Sequence, residues 1–301
     1  MGCHHEHSHH HKHLSSRKRL SIVFLLTICY MCAEFVGGYF TNSLALIADA
    51  GHMLSDAAAL GLSVFASWLA AKPASASRTF GYMRAEILAA FINGIFLIGI
   101  VLYISYEAYQ RLLMPQVVHA PLMIIVASGG LLINIIGVKL LHGSSHSNIN
   151  IRGALLHIIG DLLGSIGAII AGLAIYFKGY YIADPIISFV ISVLILFSAI
   201  RLVINATNIL LEASPSHIDV ETIRKELLQV SGVKNIHELH VWSVSSENIS
   251  LSAHALINNN DHDQVLKDIL HLLRDKFDIH HATIQIETKE FCEHECHFME
   301  D

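Results

Sequence analysis

Six apolar stretches, each roughly 20 to 28 residues long, fill the first two thirds of the chain. They are Ser21–Phe40, Leu44–Ala71, Ala85–Tyr109, Pro121–Leu141, Ala154–Phe177 and Ile182–Ile204. At about 1.5 Å per residue each can cross a ~30 Å hydrocarbon core as a helix. A membrane leaves little alternative, because backbone N–H and C=O groups must be satisfied inside the segment. Composition agrees: 53% of the 301 residues are apolar, 15% are charged, and mean hydropathy is +0.52. Soluble domains carry about 25% charge, so a soluble globule and a disordered chain are both disfavoured. The first run is too long for the apolar part of a signal peptide, and five more follow it.

Orientation follows from the Lys and Arg residues near the segment ends. Lys12, Arg17, Lys18, Arg19, Lys72, Arg78, Arg84, Lys139, Arg152 and Arg201 fall on one side, Arg111 and Lys178 on the other. Ten against two puts both termini in the cytosol, with the 72–84 and 142–152 loops. Net charge is +4 through Ile204 and −10 from Asn205 onward. An acidic tail behind an apolar front disfavours nucleic acid as a partner and suits a cation.

From about Ser216 the pattern becomes that of a soluble domain. Ile218–Val230 and Asp261–Phe277 have helical apolar spacing, while Val233–Trp242, Ile249–Ile257 and Ala282–Thr288 alternate as strands. An α-β-β-α-β order suits a small ferredoxin-like α+β domain. The expected organisation is a His-rich disordered cytosolic tail (1–17), a six-helix transmembrane domain (18–206), a cytosolic metal-binding domain (207–290) and a Cys/His tail (291–301).

Charged groups within membrane segments are expensive and usually functional. The second segment holds His52 and Asp56, four apart and therefore on one helix face; the fifth repeats the spacing with His157 and Asp161. Two imidazoles and two carboxylates make a complete tetrahedral set for Zn²⁺. The competing reading, a His–Asp hydrogen bond that only joins helices, explains one such pair better than two. Asp49, three residues before His52, is a proton-handling or supporting candidate, and Glu34, Asn93 and Asn134 read as packing or pathway residues. Gly160, Gly164, Ala168 and Gly172 form a small-residue stripe for close helix packing.

The five cysteines (Cys3, Cys29, Cys32, Cys292 and Cys296) form no disulfide framework. Cys292 and Cys296, a C-x₃-C pair beside His294 and His297, could grip zinc. The seven histidines between Cys3 and His13 read as a disordered, low-affinity cation collector. An intramembrane metallohydrolase would need H-E-x-x-H, which the sequence lacks, so an enzyme is not expected.

Several motifs resemble the cation diffusion facilitators, especially the bacterial zinc exporters and vertebrate zinc transporters. They are Ser43–Leu46 leading into Asp49–His52 and Asp56; Thr79–Tyr82 with Arg84–Glu86; Asn150–Ala154 ahead of His157 and Asp161; and Asp184-Pro185. His237–Trp242, Ser252–His254 and Thr283–Glu287 carry the likeness into the tail domain, and the match runs from about residue 18 to 290. The resemblance implies a homodimer that exports zinc in exchange for protons; short outer loops and the lack of targeting features favour a bacterial plasma membrane. It implies His52, Asp56, His157 and Asp161 as the transport site, with His52 favouring zinc. It further implies a cytosolic zinc site at His237, His254, His280 and Glu287, exposed if the strands alternate regularly. Some members bind metal in the loop between segments two and three; here Lys72–Arg78 offers no ligand. Alternatives are a membrane metal sensor without flux and an exporter of cadmium, cobalt or manganese.

Overall fold

The computed structural model describes residues 16–70, 72–73, 75–142, 149–245, 248–258 and 261–288; within these, the side chains of 16–21, 60, 63, 66–67, 70, 141–142 and 149–157 are not described. Six long helices come first: α1 Ser16–Thr41, α2 Leu44–Ala70, α3 Ala85–Leu113, α4 Ala120–His142, α5 Ile149–Lys178 and α6 Ala183–Leu210. α1, α3, α4, α5 and α6 are long and apolar enough to span a membrane by composition alone. α2, at 27 residues, is long enough too and as apolar on average as α3 and α5. The protein is therefore a six-span α-helical membrane protein followed by a small α+β domain.

That domain runs α7 Val220–Leu227, β1 Val233–Ser243, β2 Ile249–Ile257, α8 His262–Phe277 and β3 His281–Glu287, the order expected from the pattern. The expected helix from Ile218 starts later, because Asp219 is its N-cap: the carboxylate accepts from the Glu221 N–H and from the Thr222 hydroxyl. These bonds hold the Asp219 carboxyl below the usual carboxylate range. β2 is central, antiparallel to β1 and parallel to β3. Ile223, Leu227, Ile236, Leu251, Ile269 and Leu273 form the core between helices and sheet, as alternation and helical spacing dictate.

Packing divides the described chain into two compact units, one of residues 1–58 with 96–198 and one of 59–95 with 199–301. In the first, Ala45 and Leu46 of α2 pack with Met123 and Ala127 of α4 and with Ala168, Ala171 and Ile175 of α5. Small residues permit this approach: a Cβ on Gly172 would lie 2.6 Å from Ile124 Cγ1. The stripe on α5 is thus a packing face at Gly164, Ala168 and Gly172, while Gly160 looks onto open space.

The N-terminus of α2 is capped from another helix. Asp184, fully buried at the start of α6, accepts from Ser43 Oγ (2.6 Å), the Leu44 N–H (2.8 Å) and the Ala45 N–H (3.2 Å). Its charge also complements the positive end of the α2 dipole. Arg111 on α3 donates to the Asn42 carbonyl (2.7 Å) and to its side-chain oxygen (3.1 Å), pinning the turn before α2, where Asn42 has φ 57°. Asp184→Ala should therefore lower stability by about 1–2 kcal/mol, the loss of a helix cap. A thermal melt of the detergent-solubilised protein unchanged by the substitution would refute this role.

Candidate metal centres

In the first unit α2 and α5 meet at a carboxylate. Asp49 lies against Gly164, where a Cβ would sit 3.0 Å from Asp49 Oδ1 and 3.1 Å from Oδ2. Ala45 and Leu46, before Asp49, share a core with Ala168, Ala171 and Ile175, beyond Gly164, so the helices run antiparallel. One turn further along α2 and one turn back along α5 bring His52 level with Asp161; the next bring Asp56 level with His157. His52 Nε2 lies 3.4 Å from Asp56 Oδ2, the i, i+4 geometry expected. These two side chains are 22% and 35% exposed, whereas Asp161 is buried, so the pair on α2 is reachable while α5 supplies a dry wall. His157 belongs to α5, but its side chain falls outside those described.

Behind this pair lies a polar group that the sequence signalled only in part. Glu34 on α1 is completely buried, and its Oε1 accepts from the Tyr30 hydroxyl at 2.9 Å. Tyr30 also donates to the Val126 carbonyl (3.3 Å), in space left by the missing side chain of Gly130. Glu34 and Asp49 interact with each other, and both feel the charge of Asp161. Asn134 donates to Ser165 Oγ at 3.4 Å, joining α4 to α5, and Asn93 is buried on α3. Tyr30 escaped notice because an aromatic in an apolar run carries no pattern of its own.

The second cluster lies on the sheet. His237 and His254 are direct cross-strand partners, with ring centroids 5.1 Å apart and planes at 79°. Glu287, from β3, approaches His237 Nε2 through Oε2 at 3.1 Å and His254 Nδ1 through Oε1, also at 3.1 Å. One ligand atom from each of the three lies within 4.8 Å of the others, a span one metal ion could bridge. Two nitrogens and a carboxylate oxygen suit zinc, with a position left for another ligand.

A β-bulge follows this cluster. Between His237 and His240, β1 has one residue more than β2, and Glu238 adopts φ 49°. Ile236 and Leu239, three apart, can then both face the core. The His237–His254 pairing belongs to the regular register before the bulge, from Asn235 to His237. Glu287, expected to be exposed, is not: its side chain is 1% accessible, held between the two rings. His280 is not among the three; its Nε2 lies 2.8 Å from Asp278 Oδ1, and its side chain is 64% exposed. His240 interacts with Glu238 at 3.0 Å. Cys292, Cys296 and the N-terminal histidines lie outside the described residues, whereas Cys29 and Cys32 are free thiols exposed on α1.

A six-span bundle with a carboxylate- and imidazole-bearing helix pair, joined to an α+β domain with its own metal-ligand cluster, defines a polytopic membrane protein built to handle cations. Residues 20–211 match the transmembrane domain of cation efflux proteins, and residues 215–289 match their cytoplasmic domain. The chain belongs to the cation efflux family. It is 42% identical over 301 residues to the zinc transporter ZitB of Escherichia coli, covering 98% of this chain and 96% of that one. A cadmium, cobalt and zinc/H(+)-K(+) antiporter of Bacillus velezensis is 44% identical over 288 residues, covering 94% and 92%. Among solved structures, the metal-bound C-terminal domain of the CzcD transporter from Cupriavidus metallidurans is 38% identical; it covers 23% of this chain and 99% of its own, with a TM-score of 0.22.

Glu287→Gln should remove about one bound zinc per chain, because the buried anion shared by two imidazoles is lost. His280→Ala should leave the count unchanged. Equilibrium dialysis of the full-length protein against buffered zinc reads both; a count that falls with His280 and not with Glu287 would move the site.

Proposed function

We propose that the protein is a zinc(II)/proton antiporter that exports zinc from the cytosol as a homodimer. Its transport site is formed by His52 and Asp56 on α2 with His157 and Asp161 on α5. The observation that carries this reading is the antiparallel register fixed at Asp49 and Gly164, which brings the two His-x₃-Asp pairs level within one bundle. Two nitrogens and two oxygens favour zinc over manganese or magnesium, which prefer more oxygen ligands. The relatives support the metal class: one is a zinc transporter, and another also carries cadmium and cobalt in its name. That second name favours a wider range of soft divalent ions as the alternative reading.

The membrane is a bacterial inner membrane in this proposal, with both termini in the cytosol. The basic loops support that orientation, and the bacterial hosts of these relatives support the membrane. The cytosolic cluster of His237, His254 and Glu287 is a regulatory zinc site, with Cys292 and Cys296 as candidates for the remaining coordination. Zinc there offsets part of the −10 charge of the tail and favours approach of two such domains.

Asp161→Ala and Asp56→Ala should each abolish zinc flux in proteoliposomes while leaving insertion intact. A dehydrated dication cannot accept an incomplete shell cheaply. Near-normal flux in either variant would sink the assignment, and tight binding without flux in the parent protein would make it a sensor.

Proton coupling has its own test. Protons compete with zinc for the same ligand atoms, so an acidic outer compartment displaces zinc from the site, and a neutral cytosol restores the ligands. An inward proton gradient should accelerate zinc exit, and a pH-sensitive dye should record proton movement of opposite direction. Zinc crossing with no dye response would leave facilitated diffusion.

A further inference from the structure

The loop between α2 and α3 contains a run, Thr79-Phe80-Gly81-Tyr82, whose chemistry the transport site does not use. In the second unit it lines a cavity of about 1200 Å³. The floor is apolar, made by Leu69 near the end of α2, Leu88 in the first turn of α3, Leu210 ending α6, and Phe80. β1 of the cytoplasmic domain, through Trp242, forms the facing wall. The cavity therefore sits where three membrane helices end on the side of that domain, at the depth of lipid headgroups.

Its charge is one-sided. Between Lys72 and Arg84 the chain has three cations and no Asp or Glu. Arg84 is neutralised by Glu212 at 2.6 Å. Arg78 has no carboxylate partner among the described residues: its guanidinium stacks 4.5 Å from the centre of the Tyr82 ring and donates to the Tyr82 hydroxyl. A stacked guanidinium is held in one plane with N–H edges free for a phosphate, which offers only acceptors. Lys72 lies 4.2 Å over Trp68, an aromatic–cation pair at the same end of α2. The loop is braced for this presentation. Ser75 and Arg78 exchange backbone hydrogen bonds of 3.0 and 3.1 Å, and the Gly81 N–H donates to the Arg78 carbonyl at 2.9 Å. Gly81 turns the chain at φ +64°, a conformation that disfavours a side chain. A preorganised loop loses little freedom when a ligand arrives.

We propose that this cavity holds the headgroup of an anionic phospholipid of the cytosolic leaflet. The phosphodiester lies on Arg78, with Lys72 close by, and the glycerol and first acyl carbons lie on the Leu69, Phe80, Leu88 and Leu210 floor. A small soluble anion would satisfy the arginine but leave that floor in water. Charge and apolar surface together match only an amphiphile. The inference depends on the protein spanning a membrane, not on which ion it carries.

The test uses the full-length protein in detergent, titrated with short-chain phosphatidylglycerol, phosphatidylcholine, glycerol phosphate or inorganic phosphate, with thermal unfolding and native mass spectrometry as readouts. Phosphatidylglycerol should bind and raise the melting temperature, and the other three should not at the same concentration. Arg78→Gln should weaken phosphatidylglycerol about fivefold, and Lys72→Gln added to it about thirtyfold, taking each cation at its usual contribution near an anionic surface. Arg78→Lys, which keeps the charge without the fork, should fall between Arg78→Gln and the parent. Equal responses to the two lipids, an inorganic phosphate response matching phosphatidylglycerol, or an Arg78→Gln protein that binds like the parent would each overturn the proposal. Should Arg78→Gln fail to fold, a photoactivatable phosphatidylglycerol on the unaltered protein decides: labelling of residues 72–84 supports the site, and labelling confined elsewhere refutes it.

Discussion

Burial of carboxyl groups in an apolar bundle is the constraint around which the membrane part is arranged. Glu34, Asp49, Asp161 and Asp184 are all almost inaccessible, in a protein with only 15% charged residues. Each such group costs several kcal/mol in a membrane unless partners are provided. Asp184 finds its partners in the first N–H groups of α2, so one buried anion both satisfies a helix end and fixes where α2 begins against α6. Asp49 fits because Gly164 has no side chain. Those two contacts set the height and register of α2, and with them the level of His52 and Asp56 relative to α5.

The cytoplasmic domain solves a related problem on a sheet. Two histidines can face one carboxylate only if they project from the same surface at adjacent positions of neighbouring strands. The antiparallel register pairs His237 directly with His254, and Glu287 lies at the end of β3 where the two rings meet it. Two imidazole nitrogens and a carboxylate oxygen gathered within 4.8 Å are ligand types that zinc takes, which is what makes the cluster a metal centre candidate.

What could be read in the sequence divides along physical lines. The six spans were legible because hydropathy accumulates over some twenty residues, and all six helices lie where the apolar runs predicted. The αββαβ order was legible from period, because both helices are amphipathic and the strands alternate. The His52–Asp56 contact was legible because positions four apart on a helix share a face. Position on a sheet was less so. Alternation put Glu287 on the right face but made it exposed, and the family resemblance grouped His280 with it, whereas the structure buries the former and sets the latter beside Asp278. A one-residue bulge leaves no trace in hydropathy, and Glu238 is not a residue type that announces a positive φ. The Asp184 cap was hidden for another reason: its partners, Ser43, Leu44 and Ala45, are far away in sequence.

Charge balance gives the proposed transport site its last physical feature. Two carboxylates and two neutral imidazoles carry a charge of about −2 when empty, and zinc or two protons on the imidazoles each bring that to about zero. The two loaded states then look alike to the surrounding apolar helices, while the empty one leaves two unbalanced charges in a medium that strongly penalises them. In the proposed exchange, alternation loaded with zinc in one direction and protons in the other would be favoured over return of the empty site, with the burial of Asp161 adding to the penalty on the empty state. Voltage points the same way. Zinc leaving against one proton moves one net positive charge outward, opposed by about 2.3 kcal/mol at 100 mV, whereas exchange for two moves none. In the proposed site, selectivity and coupling would thus have one source: four ligands carried by two helices, with Asp161 buried on one of them.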